Sequence, residues 1–299
     1  MLRSLILAAA DSPRIQRFVG RYGMQLGGAR FVAGETLDEA VVTLRRLNEQ
    51  GLRTNTTLLG EHVKNRAEAE RVVETYEEVL RRIKAERLQT NVALKLTHIG
   101  ALIDEELGYA NVEQLVGAAA GLDNFIRIDM EDSPLVDTTL RIYRRLREAG
   151  HDNVGTVLQA YLYRSEQDLE TLLPLRPNLR IVKGAYKEPA SVAYPKKADV
   201  DAAFQRLVER SIADGGFTAV ATHDEKLIDH AISIDPGPER MELQMLYGVR
   251  TQLQLDLVAR GQRVLCAAPF GPDWFPYLMR RLAERPANLL FFVRNALES

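Results

Sequence analysis

The chain has 299 residues, of which 46% are hydrophobic and 27% charged, an ordinary composition for a globular protein. Its formal net charge of −2 provides no basic excess to neutralise phosphates, which argues against nucleic acid as the main partner. The single cysteine, Cys266, excludes a disulfide within the chain and is typical of a reducing compartment.

The first 50 residues are predicted to form a helical segment, and residues 51–299 to form one structural domain. Helical periodicity covers Ser12–Tyr22 and Leu37–Glu49, with the second helix ending at Gly51. The apolar start, Met1–Ala10, is short for a signal peptide and is followed by charged amphipathic sequence, so we interpret it as helical. No apolar run approaches the roughly 20 residues that span a bilayer. We expect a cytoplasmic protein whose membrane contact, if any, is peripheral at the inner face.

Eight short segments rich in β-branched and apolar residues follow. The predicted strands are Thr54–Leu59, Val92–Thr97, Phe125–Met130, Gly155–Ala160, Leu179–Gly184, Thr218–Thr222, Met241–Leu246 and Arg263–Ala268. Helical windows between them include Ala67–Glu86, Val136–Ala149, Ser165–Leu173, Val200–Asp214 and Leu253–Arg260. Alternating strands and helices predict a parallel sheet, and eight such units in about 250 residues predict a closed (β/α)8 barrel. An open, doubly wound sheet is the structural alternative.

Polar residues recur where these strands end, at the edge where a barrel places its chemistry. They are Glu61, Lys95, Asp129, Glu131, Gln159, Arg180, Lys183, Thr222, His223 and Gln244. A charged residue inside an apolar strand costs several kcal/mol unless it is paired, so structural ion pairs alone explain such a set poorly. Taken singly, Lys95 could form a buried pair with Asp129, and His223 could be a core histidine.

The window Trp274–Glu284 is predicted to be a helix that carries two adjacent arginines. Tyr277 lies three and four positions before Arg280 and Arg281, so the three side chains share a face. Two guanidiniums beside a phenol form a set of donors suited to a carboxylate or phosphate. The alternative is a solvated basic face.

Common catalytic signatures are missing. The sequence has no Gly-x-Gly-x-x-Gly, Walker loop, Gly-x-Ser-x-Gly or His-Glu-x-x-His, and its five histidines lack metal-ligand spacing. We therefore expect no metal centre. Lys183 could be a Schiff-base lysine of an aldolase-type barrel. The neighbouring Arg180 and the arginine pair fit the oxidation of an anionic substrate at least as well.

Five ordered motifs resemble those of the proline dehydrogenase family. They are Val157–Tyr161, Val182–Tyr186, Ala221–Asp224, Gln244–Gly248 and Tyr277–Arg281. The similarity covers nearly the whole chain, including Tyr194–Asp201, and is closest in kind to the monofunctional bacterial form without a fused aldehyde dehydrogenase.

The resemblance implies a distorted (β/α)8 barrel that uses FAD to oxidise L-proline to pyrroline-5-carboxylate, the first step of proline catabolism. Hydride would pass from substrate C5 to flavin N5, and the electrons would go on to a quinone, which places the acceptor at a membrane surface. The implied partners are proline or a close analogue, the quinone, and the aldehyde dehydrogenase of the next step as a further candidate.

The resemblance also implies a role for each matching residue. The catalytic group is Lys95, Asp129 and Arg180, with Asp129 paired to Lys95 and Arg180 near flavin N5, where positive charge stabilises the reduced flavin. The substrate contacts are Lys95, Tyr186, Leu246, Tyr277, Arg280 and Arg281. The FAD contacts are Gln159, Arg180, Lys183, Gly184, Ala185, Thr222, His223 and Glu284. Glu284 could also orient one of the guanidiniums, and a Glu61–Arg280 ion pair would gate the site.

One position departs from the family pattern. Strand 8 usually carries Tyr-x-Pro, whereas this chain has Ala267 two residues before Pro269. Loss of the phenol predicts a larger pocket that tolerates a ring substituent such as a 4-hydroxyl, unless Phe270 refills the space. Two rival functions are a flavin barrel of the methylenetetrahydrofolate-reductase type and a barrel that only binds a small acid or a regulatory partner.

Overall fold

The computed structural model describes residues 30–213, 216–234 and 236–284, and the predicted helix Ser12–Tyr22 lies outside them. Eight parallel strands form a closed barrel in chain order, with β8 hydrogen-bonded to β1. The strands are β1 Arg53–Thr56, β2 Thr90–Lys95, β3 Ile126–Asp129, β4 Val154–Gln159, β5 Asn178–Val182, β6 Phe217–Ala221, β7 Met241–Leu246 and β8 Val264–Ala267. This closure confirms the predicted (β/α)8 barrel and excludes the open sheet.

In the described part of the chain, α-helices surround the barrel, with one before β1, one in each connection and one after β8. They are α1 Leu37–Glu49, α2 Arg66–Ala85, α3 Glu105–Gly121, α4 Val136–Glu148, α5 Ser165–Leu172, α6 Lys197–Ala213, α7 Glu225–Ser233, α8 Thr251–Ala259 and α9 Trp274–Glu284. None of the helices within the described ranges is long and apolar enough to cross a membrane.

Side-chain caps fix where several helices begin. The Thr36 hydroxyl accepts a hydrogen bond from the Glu39 N–H, and the Glu39 carboxylate accepts from the Thr36 N–H, forming a capping box on α1. Asn65 caps α2, and Asp224 caps α7. A cap of this kind contributes about 1 kcal/mol and sets the point at which the chain leaves the loop for the helix.

The apolar core lies between the strands and the helices. Ala40, Leu44 and Leu47 of α1 belong to the same buried cluster as Val92 and Leu94 of β2. The helix that precedes the first strand therefore packs onto the barrel and shares its core.

The barrel interior is unusually polar. Barrels of this type are commonly filled by branched aliphatic side chains, whereas Arg127, Asp129, Arg180 and Glu242 lie on strands of this one with little or partial exposure. A small residue makes room for one of them, because a Cβ on Gly155 would lie 2.4 Å from Arg127 Nη1. Long polar side chains can therefore cross the barrel and meet residues of distant strands.

Three strands end two or three residues earlier than predicted. After β2 the chain forms a 3-10 turn, Leu96–Ile99, because the buried Glu131 carboxylate accepts from the Thr97 N–H at 3.0 Å and from its hydroxyl at 2.6 Å. β1 ends at Thr56, and Leu59 then donates to the Phe270 carbonyl. β5 ends at Val182, before Gly184 adopts a φ of +114°.

Candidate active site

A cavity of about 830 Å³ opens at the C-terminal ends of the strands. Its volume is in the range of small-molecule and cofactor sites. The predicted site residues that line it are Lys95, Asp129, Gln159, Arg180, Lys183, Gly184, Ala185, Tyr186, Thr222, His223, Leu246 and Arg281. Glu61 and Tyr277 contact lining residues, while the side chains of Arg280 and Glu284 lie outside the described part of the chain. The fold thus brings most of the predicted site together.

Arg180 occupies the centre of the barrel and binds three other strands. Its Nε donates to Gln244 Oε1 at 2.5 Å, and its Nη1 donates to Asp129 Oδ1 at 2.6 Å. A longer bond of 3.4 Å joins Nη2 to Asn55 Oδ1. Because the guanidinium is 8% exposed and faces a carboxylate, its charge is both buried and compensated.

The predicted ion pair between Lys95 and Asp129 is not formed. Lys95 and Asp129 are register partners on β2 and β3, but Lys95 Nζ donates to Glu61 Oε2 at 2.5 Å, on the loop that follows β1. Asp129 is instead paired with Arg180, whose longer side chain reaches across the barrel from β5. Lys95 and Asp129 therefore line the same cavity but belong to different ion pairs.

The predicted arginine-bearing helix is α9. Arg281 is 9% exposed, lines the cavity, and places its guanidinium carbon 5.2 Å from the centre of the Tyr277 ring. This contact is the i, i+4 pairing expected from the sequence, and a cation held over an aromatic face is restricted in orientation. The alternative of a solvated basic face is wrong for Arg281. Its buried charge is suited to binding an anionic group in the cavity.

Gln159 presents a buried acceptor with no partner. Its Nε2 donates to the carbonyls of Met130 at 3.3 Å and Glu131 at 3.1 Å. Its Oε1 is buried, and no group in the described part of the chain donates to it. An unsatisfied buried acceptor costs about 1–3 kcal/mol. Since Gln159 lines the cavity, a ligand with an N–H donor, such as a flavin ring, would relieve that cost.

The loop after β5 approaches its neighbours closely. Gly184 has a φ of +114°, and a Cβ there would lie 2.3 Å from Cδ1 of the buried Tyr161 ring. A larger residue would be strained and would clash. Gly184 is therefore packed against Tyr161 on one side, and both Gly184 and Ala185 line the cavity.

Lys183 belongs to a cluster of two lysines and two aspartates, here called the Lys–Asp cluster: Lys183, Lys197, Asp201 and Asp224. Lys183 Nζ lies 2.6 Å from Asp201 and 3.1 Å from Asp224, and Lys197 contacts both carboxylates too. Burial alone would raise the pKa of Asp224, but the two ammonium groups outweigh it and lower this pKa to about 2. The Lys183 ammonium is thus held at the rim of the cavity, in a cluster whose two positive and two negative charges cancel.

His223 has a positioning role toward a predicted substrate wall. Its Nε2 accepts a hydrogen bond from the Leu246 N–H at 2.9 Å, so this nitrogen carries no proton. Its carbonyl accepts from Arg250 at 2.9 Å. Both bonds hold the end of β7, where Leu246 faces the cavity, against the loop after β6.

Ala267 lines the cavity, in register with Leu246 on β7. Phe270 does not refill the space. It is 3% exposed in the apolar core, exchanges backbone hydrogen bonds with Thr57 and Leu59, and is not among the described residues that line the cavity. Among the described residues, therefore, no side chain fills the position where the family pattern has a phenol.

The titration of His98 predicts that the free energy of unfolding falls in acid. Its ring packs on Gly60, and burial, followed by the charge of Lys95, lowers the pKa of His98 from 6.5 to about 4. The unfolded chain takes up this proton more easily, so the stabilisation is complete above pH 6.5 and is lost as the pH falls. By pH 4 the loss should reach about 3 kcal/mol.

Urea unfolding of the wild type and His98→Gln across this range tests the prediction. The wild type should lose about 3 kcal/mol more than the variant, because the remaining titratable groups are common to both proteins. Parallel stability curves for the two proteins would contradict it.

Several residues at the site were not given a role from the sequence. Asn55 and Gln244 bind Arg180, while Asp201 and Asp224 bind Lys183. Gln244 could have been found from the period of two in a strand, which places Glu242, Gln244 and Leu246 on one face. Asn55 had no comparable signal, because an amide in a short strand is common.

Comparison with known proteins agrees with this geometry. A family model described as proline dehydrogenase matches residues 40–294. The chain is 40% identical to proline dehydrogenase 1 of Bacillus subtilis strain 168, over all of both proteins. It is also 40% identical to proline dehydrogenase of Deinococcus radiodurans, over all of this chain and 98% of that one.

A solved structure shares the fold. The crystal structure of proline utilization A (PutA) from Bdellovibrio bacteriovorus, inactivated by N-propargylglycine, matches with a TM-score of 0.81 at 22% identity. The match covers 87% of this chain and 32% of that longer one. With a family model over most of its length and relatives aligned end to end, the chain belongs to the proline dehydrogenase family.

Proposed function

We propose that this chain oxidises L-proline to pyrroline-5-carboxylate with FAD as its resident cofactor. The observation that carries the proposal is the meeting of three features in one cavity. Arg281 supplies a buried cation, Arg180 supplies a second one fixed by Asp129 and Gln244, and Gln159 supplies a buried acceptor to which no described group donates. A substrate carboxylate would match the cation of Arg281, and a flavin ring would match Arg180 and the Gln159 acceptor.

The substrate carboxylate binds to Arg281, with Arg280 and Lys95 as further cations. Charge-assisted hydrogen bonds of this type are strong and directional, so they orient the ring of the substrate. Tyr186, Leu246 and Tyr277 form walls around that ring. The nearby Lys95 charge also favours the neutral form of the substrate amine, which must lose a proton during the oxidation.

The cofactor would be held by residues on β4 and β5, in the loops after β5 and β6, and on α9. Gln159 accepts from the ring, Arg180 faces it with a positive charge, and the Lys183–Ala185 loop with Thr222, His223 and Glu284 holds the remaining parts. Bound FAD would supply the hydride acceptor, while the protein supplies orientation and charge. The same proposal includes a quinone as the electron acceptor and an aldehyde dehydrogenase as the enzyme of the next step.

Colour and bleaching test this function. The purified chain should show flavin absorbance in the visible region, and L-proline alone should bleach it without a nicotinamide. Bleaching by NADPH and not by proline would favour the methylenetetrahydrofolate-reductase type. A colourless, folded protein that takes up no added FAD would favour the binding-only barrel and overturn the proposal.

The open wall at Ala267 favours a second substrate class, prolines with a ring substituent. Ala267→Tyr should increase the preference for L-proline over trans-4-hydroxyproline, measured as the ratio of kcat/KM values, by roughly tenfold or more, because it fills space beside the ring. Ala267→Ser, which stays small, should leave the ratio within a few-fold. The wider pocket would be refuted if the wild type already prefers L-proline strongly and if Ala267→Tyr leaves the ratio of kcat/KM values unchanged.

A further inference from the structure

A chain of hydrogen-bonded side chains runs through the barrel interior and ends at Arg180. At its lower end Arg263 Nε donates to Glu242 Oε2 at 3.0 Å. The other oxygen of Glu242 accepts from Gln244 Nε2 at 2.6 Å. Gln244 Oε1 in turn accepts from Arg180 Nε at 2.5 Å. We call this series, Arg263–Glu242–Gln244–Arg180, the axial chain.

The axial chain joins two separate spaces. Glu242 and Arg263 line a cavity of about 800 Å³ on the side of the barrel where β7 and β8 begin. Gln244 and Arg180 line the active-site cavity on the opposite side. Glu242 and Gln244 are each 4% exposed, so water cannot readily replace a bond that is lost between them.

The chemistry of Glu242 and Arg180 fixes which group donates and which accepts at each contact of the axial chain. A carboxylate only accepts hydrogen bonds, so Glu242 requires the NH₂ group of Gln244 to face it. The amide oxygen of Gln244 must then face Arg180, which only donates. Without Glu242 the amide NH₂ group would lose its acceptor, and the bond to Arg180 alone would hold Gln244 in this orientation. The orientation of Gln244 therefore depends on a carboxylate that touches neither Arg180 nor the active-site cavity.

We propose that Glu242, acting through Gln244, is a positioning residue that fixes the Arg180 guanidinium against the redox ring of the cofactor. The inference rests on the proposed function and deepens it. Asp129 binds the Nη1 side of Arg180, and Gln244 binds its Nε side. These are the two short bonds of the guanidinium, because the contact of Nη2 with Asn55 Oδ1 is longer, at 3.4 Å. Without Gln244, one short bond and one long contact would hold the guanidinium less firmly.

Gln244→Met gives the cleanest test, because it removes the anchor and leaves every charge in place. The flavin reduction potential should become more negative, since Arg180 drifts from the ring, and the rate of flavin reduction by proline should fall roughly tenfold or more. Glu242→Gln should shift the potential in the same direction. If Glu242 acted only through its charge, removing that charge would shift the potential the opposite way.

A double swap, Glu242→Gln with Gln244→Glu, provides the rescue. In this variant the donors and acceptors match again, because the amide now at position 242 accepts from Arg263 and donates to the carboxylate now at position 244, which accepts from Arg180. The double swap should recover most of the reduction rate lost in Glu242→Gln. Glu239→Gln is the matched control, because Glu239 lines the same lower cavity outside the axial chain. It should leave potential and rate unchanged.

The FAD content of each purified variant, and the melting temperature of its flavin-free form, are measured alongside. A positive or absent potential shift in folded, flavin-loaded Gln244→Met and Glu242→Gln would overturn the proposal, as would a double swap that folds, holds FAD and recovers nothing. Failure of the proposed function is distinct, because it would show in a wild type that holds no flavin or is not reduced by proline.

Discussion

Arg281→Met should raise the KM for L-proline by roughly tenfold to a hundredfold, because it removes a charge-assisted hydrogen bond of about 1.5–3 kcal/mol to the substrate carboxylate. The methionine keeps much of the side-chain volume in a site that is 9% exposed. Steady-state kinetics on flavin-loaded enzyme measures the effect. FAD content should stay close to that of the wild type, because the contact is proposed to be with substrate.

Arg206→Met is the matched control for that experiment. Arg206 is half-exposed on α6, pairs with Glu166 at 2.6 Å and does not line the cavity. Its loss should leave KM unchanged. An Arg281→Met enzyme that is folded, loaded with flavin and has the wild-type KM would refute the role of Arg281 as the carboxylate anchor.

Arg180→Met should destabilise the FAD-free chain by about 3–5 kcal/mol, the usual cost of leaving one partner of a buried ion pair uncompensated. The change leaves Asp129 without its guanidinium and leaves the Gln244 oxygen without its donor. Urea unfolding of the flavin-free protein measures this loss. The same variant should also retain little FAD, because the cation facing the ring is gone.

The double variant Arg180→Met with Asp129→Asn separates the two effects. Neutralising Asp129 removes the unpaired charge, so a substantial part of the stability should return. FAD retention should not return with it. A single variant as stable as the wild type would show that the Arg180–Asp129 pair contributes little to folding.

The location of the site was predictable because parallel strands end at one edge of a barrel. Lys95, Gln159, Thr222 and Leu246 are far apart in sequence, yet each lies near the end of a strand, and all line one cavity. The eight-strand count and α9 followed from periodicity alone. Those features depend on local pattern, which a single sequence records directly.

The pairing of charges was not predictable in the same way. Lys95 and Asp129 are register partners, so a pair between them was the simplest expectation. The observed partners depend on how far Arg180 reaches across the barrel interior, and on where the loop after β1 returns with Glu61. Both are properties of the closed barrel, and strand periodicity does not encode them.

The Lys–Asp cluster makes the rim of the cavity sensitive to ionic strength. It joins the end of β5 to the first turns of α6 and α7, and Lys197 is 70% exposed. Screening over a Debye length of about 10 Å at 0.1 M salt weakens such contacts, while the apolar contacts elsewhere around the barrel strengthen or stay unchanged. Added salt should therefore loosen the start of α6, and with it the rim of the cavity at Lys183. Cofactor exchange should be faster in concentrated chloride than in dilute buffer.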